Sequence, residues 1–103
     1  MKFLAMDSGV NVDEEKIKAH LAEDTARVWE LYSDRFIREI HQRGDNPFTV
    51  LMLEAYSLEE AKSKLATIPF AKMGITEFKT VIPLQPFTGF EALFADRFLR
   101  AIA

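Results

Sequence analysis

Two stretches in the middle of the chain are separated by a short run of turn-forming residues. Residues 36–43 mix apolar and polar side chains, residues 48–56 form the most apolar run of the sequence, and Gly44-Asp45-Asn46-Pro47 lies between them. Gly, Asp and Asn tolerate positive φ and Pro cannot continue a strand ladder, so the turn signals fall between the two runs. The pattern predicts a β-hairpin. A hairpin alone is marginally stable, so it needs strands beside it and helices above it.

Two further strands are predicted, one before and one after this hairpin. Residues 2–6 form an apolar run that ends at the turn cluster Asp7-Ser8-Gly9, and residues 76–84 alternate between apolar and polar positions. Pro83 lacks the N–H that a central strand donates, so it favours an edge position for the last strand.

Two helices are predicted between these strands. Asp13 can cap a helix whose first turn contains two Glu residues, and this helix should run to about residue 32 or 33. Ser57, with Glu60 three residues later, has the capping-box arrangement that begins a second helix. Pro69 should end that helix, because a proline ring clashes with the preceding turn.

The predicted order is β-α-β-β-α-β, the ferredoxin-like α+β arrangement of a four-stranded antiparallel sheet with two helices on one face. The third strand is apolar on both faces, with Val50 and Met52 alternating with Leu51 and Leu53. Helices cover one face, so the other cannot be left in water. We therefore expect two sheets to pack face to face, in a homodimer or a larger homo-oligomer.

The chain divides into a domain over 1–85 and a Phe-rich tail over 86–103 that becomes helical in pattern after Thr88-Gly89. So much apolar surface should pack on the domain itself or on a neighbouring subunit. Membrane binding by an amphipathic helix is the minor alternative, since Glu91 and Asp96 weaken attraction to anionic lipid.

Composition excludes several classes of function. The 103 residues are 49% hydrophobic, which suits one folded domain. The net charge is -3 and the charged residues are dispersed, so the chain has no basic stripe that could bind nucleic acid. The absence of cysteine removes disulfides, thiolate catalysis and Cys-type zinc sites. No stretch approaches the roughly 20 apolar residues of a membrane span. We expect a soluble, cytoplasmic protein.

Two polar residues interrupt the apolar stripe of the first predicted helix. His20 and Asp24 are spaced i, i+4, so their side chains can meet on the face that looks at the sheet. A carboxylate beside an imidazole orients it and raises its basicity, which begins a general acid/base pair. The alternative is a rim contact that binds nothing.

The predicted hairpin also carries polar candidates. Residues 35–43 present polar groups on both faces of a strand expected to be central or nearly so, which indicates either a polar pocket or satisfied cross-strand pairs. Glu54 is the one charge in the apolar third strand, on the same face as Tyr56. His20 and His41 are the two histidines and match no local metal motif, so we expect no metal site.

Several segments between about Leu21 and Leu84 resemble one known family, the muconolactone isomerase-like members of the dimeric α+β barrel superfamily. The segments that carry the resemblance are Ala22-Glu23-Asp24, Phe36-Ile37-Arg38-Glu39-Ile40 followed by Gly44, Glu54, Ser57-Leu58-Glu59-Glu60-Ala61, Leu65-Ala66-Thr67-Ile68-Pro69-Phe70 and Met73. The resemblance implies a cofactor-free pocket between helices and sheet, with acid/base residues from the first helix and the sheet.

The leading hypothesis is a muconolactone isomerase-like enzyme that shifts a proton on a small, anionic organic acid or lactone. Asp24 or Glu54 would be the base, His20 would orient it or return the proton, and Arg38 would hold a substrate carboxylate. The candidate residues are His20, Asp24 and Glu54 for catalysis, and Arg38, His41 and Tyr56 for substrate binding. The alternative is a non-catalytic small-molecule-binding or oligomerisation module of the same fold.

Overall fold

The computed structural model of the chain describes residues 1–9 and 13–102, including the side chains of 1–9 and 13–95. Its elements are β1 (Lys2–Met6), α1 (Glu14–Ser33), β2 (Ile37–Gln42), β3 (Thr49–Glu54), α2 (Leu58–Leu65), the single-turn α3 (Pro69–Lys72), β4 (Thr80–Leu84) and α4 (Gly89–Ile102). The four strands form one antiparallel sheet in the order β2-β3-β1-β4. This confirms the ferredoxin-like α+β fold predicted from the sequence.

Local signals set the helix boundaries. The Asp13 carboxylate accepts hydrogen bonds from the N–H groups of the first turn of α1, and the Ser57 hydroxyl accepts one from Glu60 N at 3.1 Å, so both predicted caps are confirmed. α2 ends at Leu65, before the proline, whereas Pro69 occupies the first turn of α3. A proline fits there because an N–H at that position has no partner within the helix.

The strand order corrects one expectation from the sequence. β2 is an edge strand, not a central one, which explains why residues 38–42 are exposed on both faces. The register shifts between Ile37 and Glu39, so that Arg38 lies in a bulge. β4 is the other edge strand, as Pro83 predicted, and it is shorter than the alternating run because it begins at Thr80.

The core lies between the sheet and the helices α1 and α2. Alternation along the two central strands turns Phe3 and Ala5 of β1, and Leu51 and Leu53 of β3, toward the helices. Leu31, Phe36, Ile37, Ala61, Leu65 and Ile68 complete the cluster. Each fully buried large side chain contributes about 1.5–3 kcal/mol relative to exposure, so this layer holds the helices on one face.

The opposite face of the sheet, which we call the open face, is apolar at its centre. Leu4 of β1 pairs with Met52 of β3 and with Ile82 of β4, and Met6 pairs with Val50. All five of these side chains are at least partly accessible in the single chain, and Ile82 is 44% exposed. The third strand is apolar on both faces, and its second face forms part of the uncovered apolar surface that the sequence predicted.

The tail forms α4, which extends from the domain. The chain measures 70 × 28 × 20 Å, and Phe87, Phe90 and Phe94 are 76%, 63% and 61% exposed. These three tail side chains, which belong to the described residues, are thus not covered by the domain in the single chain. No helix within the described residues is long and apolar enough to cross a membrane.

Candidate functional site

A cavity of about 540 Å³ lies between α1, α3 and the helix-covered face of the sheet. Three aromatic side chains, Phe48, Phe70 and Phe78, and several branched aliphatic side chains form its walls. Its polar lining consists of Asp7, Asp24, Thr25, Gln42, Thr49 and Thr76. A cavity of this size with an apolar wall and a few polar groups suits a small organic molecule.

Asp7 enters the cavity from the end of β1. The strand alternation that buries Phe3 and Ala5 also turns Asp7 inward, and its side chain is only 6% exposed. One carboxylate oxygen, Oδ1, accepts a hydrogen bond from Gly9 N at 2.8 Å, and Asp7 N donates to the Thr49 carbonyl at 3.0 Å. The carboxylate is therefore fixed at the junction of β1, β3 and the following turn.

Asp24 enters the same cavity from the middle of α1. Its Oδ1 accepts a hydrogen bond from Phe70 N at 2.9 Å, which joins α1 to the first turn of α3. That N–H has no carbonyl partner within its own short helix, so the carboxylate satisfies it. Among the described residues, no donor is hydrogen-bonded to the other carboxylate oxygen, Oδ2.

Burial raises the pKa of both carboxyl groups above the ordinary value for Asp. For Asp7, desolvation is the largest cause, opposed by hydrogen bonding from the backbone at Gly9 and Glu77. For Asp24, desolvation again raises the pKa, the Phe70 N–H opposes it, and the negative charge of Asp7 raises it further. The negative charge of Asp7 therefore adds to burial in favouring the neutral form of the Asp24 carboxyl group.

Gly9 and Phe48 shape the wall next to Asp7. Gly9 has φ +61°, and a Cβ placed on it would lie 2.2 Å from the tip of the Phe48 ring. Glycine is needed here both for the left-handed backbone and for the close approach of the ring. Phe48 N donates to the Asn46 side chain at 2.9 Å, so the hairpin turn holds this aromatic ring against the β1 turn.

Thr76 contributes a buried hydroxyl to the cavity wall. Its Oγ1 is inaccessible to solvent and has no hydrogen-bond partner among the described residues. Most buried hydroxyl groups are hydrogen-bonded, so this oxygen is an exception among the described residues.

The three predicted catalytic residues do not come together. Asp24 lines the cavity, but His20 does not, and its Nδ1 lies 3.3 Å from the exposed Glu23 instead. Glu54 lies on the open face, where its carboxylate accepts a hydrogen bond from the Met1 ammonium at 2.8 Å. This hydrogen bond is the main reason that the pKa of Glu54 is lowered.

The three predicted substrate-binding residues also lie outside the cavity. Arg38 donates from Nε to the Arg35 carbonyl at 2.6 Å, His41 is on the open face with its Nε2 3.2 Å from a Glu39 oxygen, and Tyr56 is 92% exposed.

Sequence reasoning assigned Asp7 to a turn and so missed it. The signal was present in the strand period, because residue 7 has the same parity as the inward-facing residues 3 and 5.

No protein-family model matches the chain, and no curated protein sequence matches it. Its structure is similar to that of 5-chloro-2-hydroxyhydroquinone dehydrochlorinase from Burkholderia phenoliruptrix AC1100, solved in complex with 2,5-dihydroxybenzoquinone. The TM-score is 0.67 and the sequence identity 19%, over 86% of this chain and 98% of that one. That enzyme has the dimeric α+β barrel fold, the fold family of muconolactone isomerase, and at this identity the likeness shows the fold alone.

Proposed function

We propose that this chain is a homodimeric, cytoplasmic, muconolactone isomerase-like enzyme that shifts a proton on a small cyclic molecule without a cofactor. The observation that carries the proposal is the pair of carboxyl groups, Asp7 and Asp24, in one apolar cavity. Burial raises the pKa of both acids, and in the proposal one of them acts as the base while the other acts as the acid.

In the proposed reaction, Asp24 is the base. Its Oδ1 is held by Phe70 N, which stabilises the charged form, while Oδ2 takes a proton from a carbon next to a carbonyl group of the substrate. Asp7, the more buried acid, donates its proton at the other end of the shifting double bond. One proton leaves and one arrives, the electron pair moves within the substrate, and the step needs no oxidant or reductant.

The cavity favours an uncharged substrate. Its lining contains two acids and no Arg, Lys or His among the described residues, so an organic anion would find no counter-charge there. Of the two substrate classes expected from the sequence, an acid or a lactone, the lactone fits better, together with hydroxylated or quinone-like rings that the aromatic wall can stack on. The structurally similar dehydrochlorinase, named for a hydroxylated ring substrate, lends support to this class.

The homodimer part of the proposal is supported by the open face. Its central side chains, including Leu4, Met52 and Ile82, form the kind of contiguous apolar surface that marks an interface. Packing against a copy would bury it, in keeping with the dimeric α+β barrel fold.

Proton exchange provides a direct test. Wild-type protein is incubated in D₂O with a panel of butenolides, which are uncharged, and deuterium uptake and double-bond migration are followed by NMR. Loss of a positioned acid or base slows such reactions by about 10²- to 10⁴-fold, so Asp24→Asn should abolish exchange. Asn retains an oxygen to accept from Phe70 N, which keeps the variant folded.

Glu15→Gln is the matched control, because Glu15 is an exposed acid in the first turn of the same helix and lies outside the cavity. It should exchange at the wild-type rate. Equal rates for wild type and Asp24→Asn on a processed substrate would refute the assignment. Tight binding of panel members by all three proteins, with no exchange by any, would instead support the alternative of a binding module, which the aromatic wall also suits.

A further inference from the structure

An apolar groove, which we call the outer groove, runs along the outside of the domain between α1 and β2. Its volume is about 510 Å³ and its lining includes Val28, Trp29, Tyr32 and Ile40. Trp29, Tyr32 and Ile40 are 65%, 45% and 42% exposed, and the Trp29 and Tyr32 ring centres are 5.9 Å apart. Aromatic surface of this kind is typical of an interface.

The outer groove and the candidate active-site cavity share a wall. Thr25, Val28 and Ile40 line both, so whatever packs in the groove supports the cavity from behind.

A second unpartnered apolar surface lies on α4. Phe90, Leu93 and Phe94 follow the i, i+3, i+4 spacing that places side chains on one side of a helix, and each is at least 50% exposed. Phe87 lies just before the helix and packs edge to face on Phe90, with ring centres 5.1 Å apart. This side of α4 presents aromatic surface of the same character as the outer groove.

Within one chain the two surfaces are at opposite edges of the sheet. The tail leaves from β4, whereas the groove borders β2, and three strand spacings of about 4.8 Å separate these edge strands. When two such sheets close into a barrel, the edges of one meet the edges of the other. If β4 of one copy lies beside β2 of its partner, the four-residue link 85–88, which spans up to about 14 Å, delivers α4 to the partner's groove.

We propose that α4 of each subunit docks in the outer groove of a second copy, with Phe90 and Phe94 packed on Trp29 and Tyr32. On the rim of the groove, Arg38 can pair with Glu91, which lies in the first turn of α4. Glu39 also lines the groove, and its carboxylate lies 3.2 Å from His41 Nε2. The docked tail supports the cavity wall of the neighbouring subunit. This proposal rests on the sheet-to-sheet dimer and is independent of the catalytic roles of Asp7 and Asp24.

Cross-linking between differently tagged copies tests the contact, because the chain has no cysteine of its own. Full-length Tyr32→Cys protein and Phe90→Cys protein are mixed, allowed to exchange subunits and oxidised. A disulfide between the two tagged species is the expected product. Ala92→Cys, two positions from residue 90 and on the far side of α4, should give little product with Tyr32→Cys.

Fluorescence gives a second measure, since Trp29 is the sole tryptophan and lies in the groove. In full-length Phe90→Ser/Phe94→Ser protein, Trp29 emission should shift to longer wavelength and acrylamide quenching should increase, while Ala92→Ser should match wild type.

Three outcomes would overturn the proposal. One is a disulfide within a single chain of the double variant that carries both Tyr32→Cys and Phe90→Cys. Another is a dimer, by sedimentation, that gives neither the cross-link nor the fluorescence shift. The third is a monomer at micromolar concentration, which would also remove the sheet-to-sheet dimer.

Discussion

Asp7→Asn should change how the stability of the fold depends on pH. Burial raises the pKa of Asp7 above 3.8, so the folded state binds a proton more tightly than the unfolded chain does. Stability from this group is fully present below pH 3.8 and is lost as the pH rises toward the raised pKa. Asn keeps an acceptor for Gly9 N and carries no charge, so the variant lacks this loss.

The magnitude follows from linkage. Each pKa unit by which folding raises the pKa of an acid lowers the free energy of unfolding at neutral pH by about 1.4 kcal/mol. This is a measurable fraction of the roughly 5–15 kcal/mol that is typical for a domain. Wild type should therefore lose stability relative to Asp7→Asn as the pH rises from 3.8, and the difference should level off above the raised pKa. At neutral pH the variant should be at least as stable as wild type.

Urea unfolding from pH 3.5 to 8 measures this, with Trp29 emission and circular dichroism followed together at one fixed subunit concentration, because a dimer's midpoint depends on concentration. Asp45→Asn is the control, because the Asp45 carboxyl should change the stability with pH in the opposite direction. The hydrogen bond from Arg43 lowers the pKa of the exposed Asp45 carboxyl, so its small contribution appears above the unfolded pKa and is lost as the pH falls. A wild-type protein that gains stability over Asp7→Asn as the pH rises would refute the reasoning.

Three further predictions test other parts of the structure. Met52→Asp, in the centre of the open face, should yield monomers by sedimentation, whereas Ser63→Asp on the exposed side of α2 should remain dimeric. Gly9→Ala should lower the free energy of unfolding by about 1–2 kcal/mol, because φ at this position is +61° and the new methyl group would displace the Phe48 ring. Ligand affinity, measured by calorimetry, should fall as well. The pH dependence of kcat/KM should be bell-shaped. Its acidic limb, which reports ionisation of the catalytic base, should have its midpoint above pH 3.8 and should be absent from any residual activity of Asp24→Asn.

The cavity and the tail can be linked in function. Val28 and Ile40 separate the cavity from the outer groove, so a partner's α4 would hold this wall in place. Open-face variants that separate the subunits should then lose ligand affinity as well as the dimer, although Asp7 and Asp24 lie entirely within one chain.

The sequence by itself determined the elements and the two faces of the sheet. The hairpin turn at 44–47, the caps at Asp13 and Ser57, and the alternation along the third strand are read from neighbouring residues, because helix and strand periods are local geometry. The same local rules placed Asp24 on the inner stripe of α1 and predicted an uncovered apolar face.

Only the tertiary structure decided what meets Asp24. The i, i+4 spacing favoured His20, yet the imidazole contacts Glu23 and the cavity partner is Asp7, from a different element. The strand order made β2 an edge and moved Arg38 outside the pocket, and no local pattern specifies which strands are neighbours. The physical reason is that Asp7, Asp24 and the backbone of Phe70 are brought together by packing β1, α1 and α3 around one cavity, which depends on contacts between residues far apart in the chain.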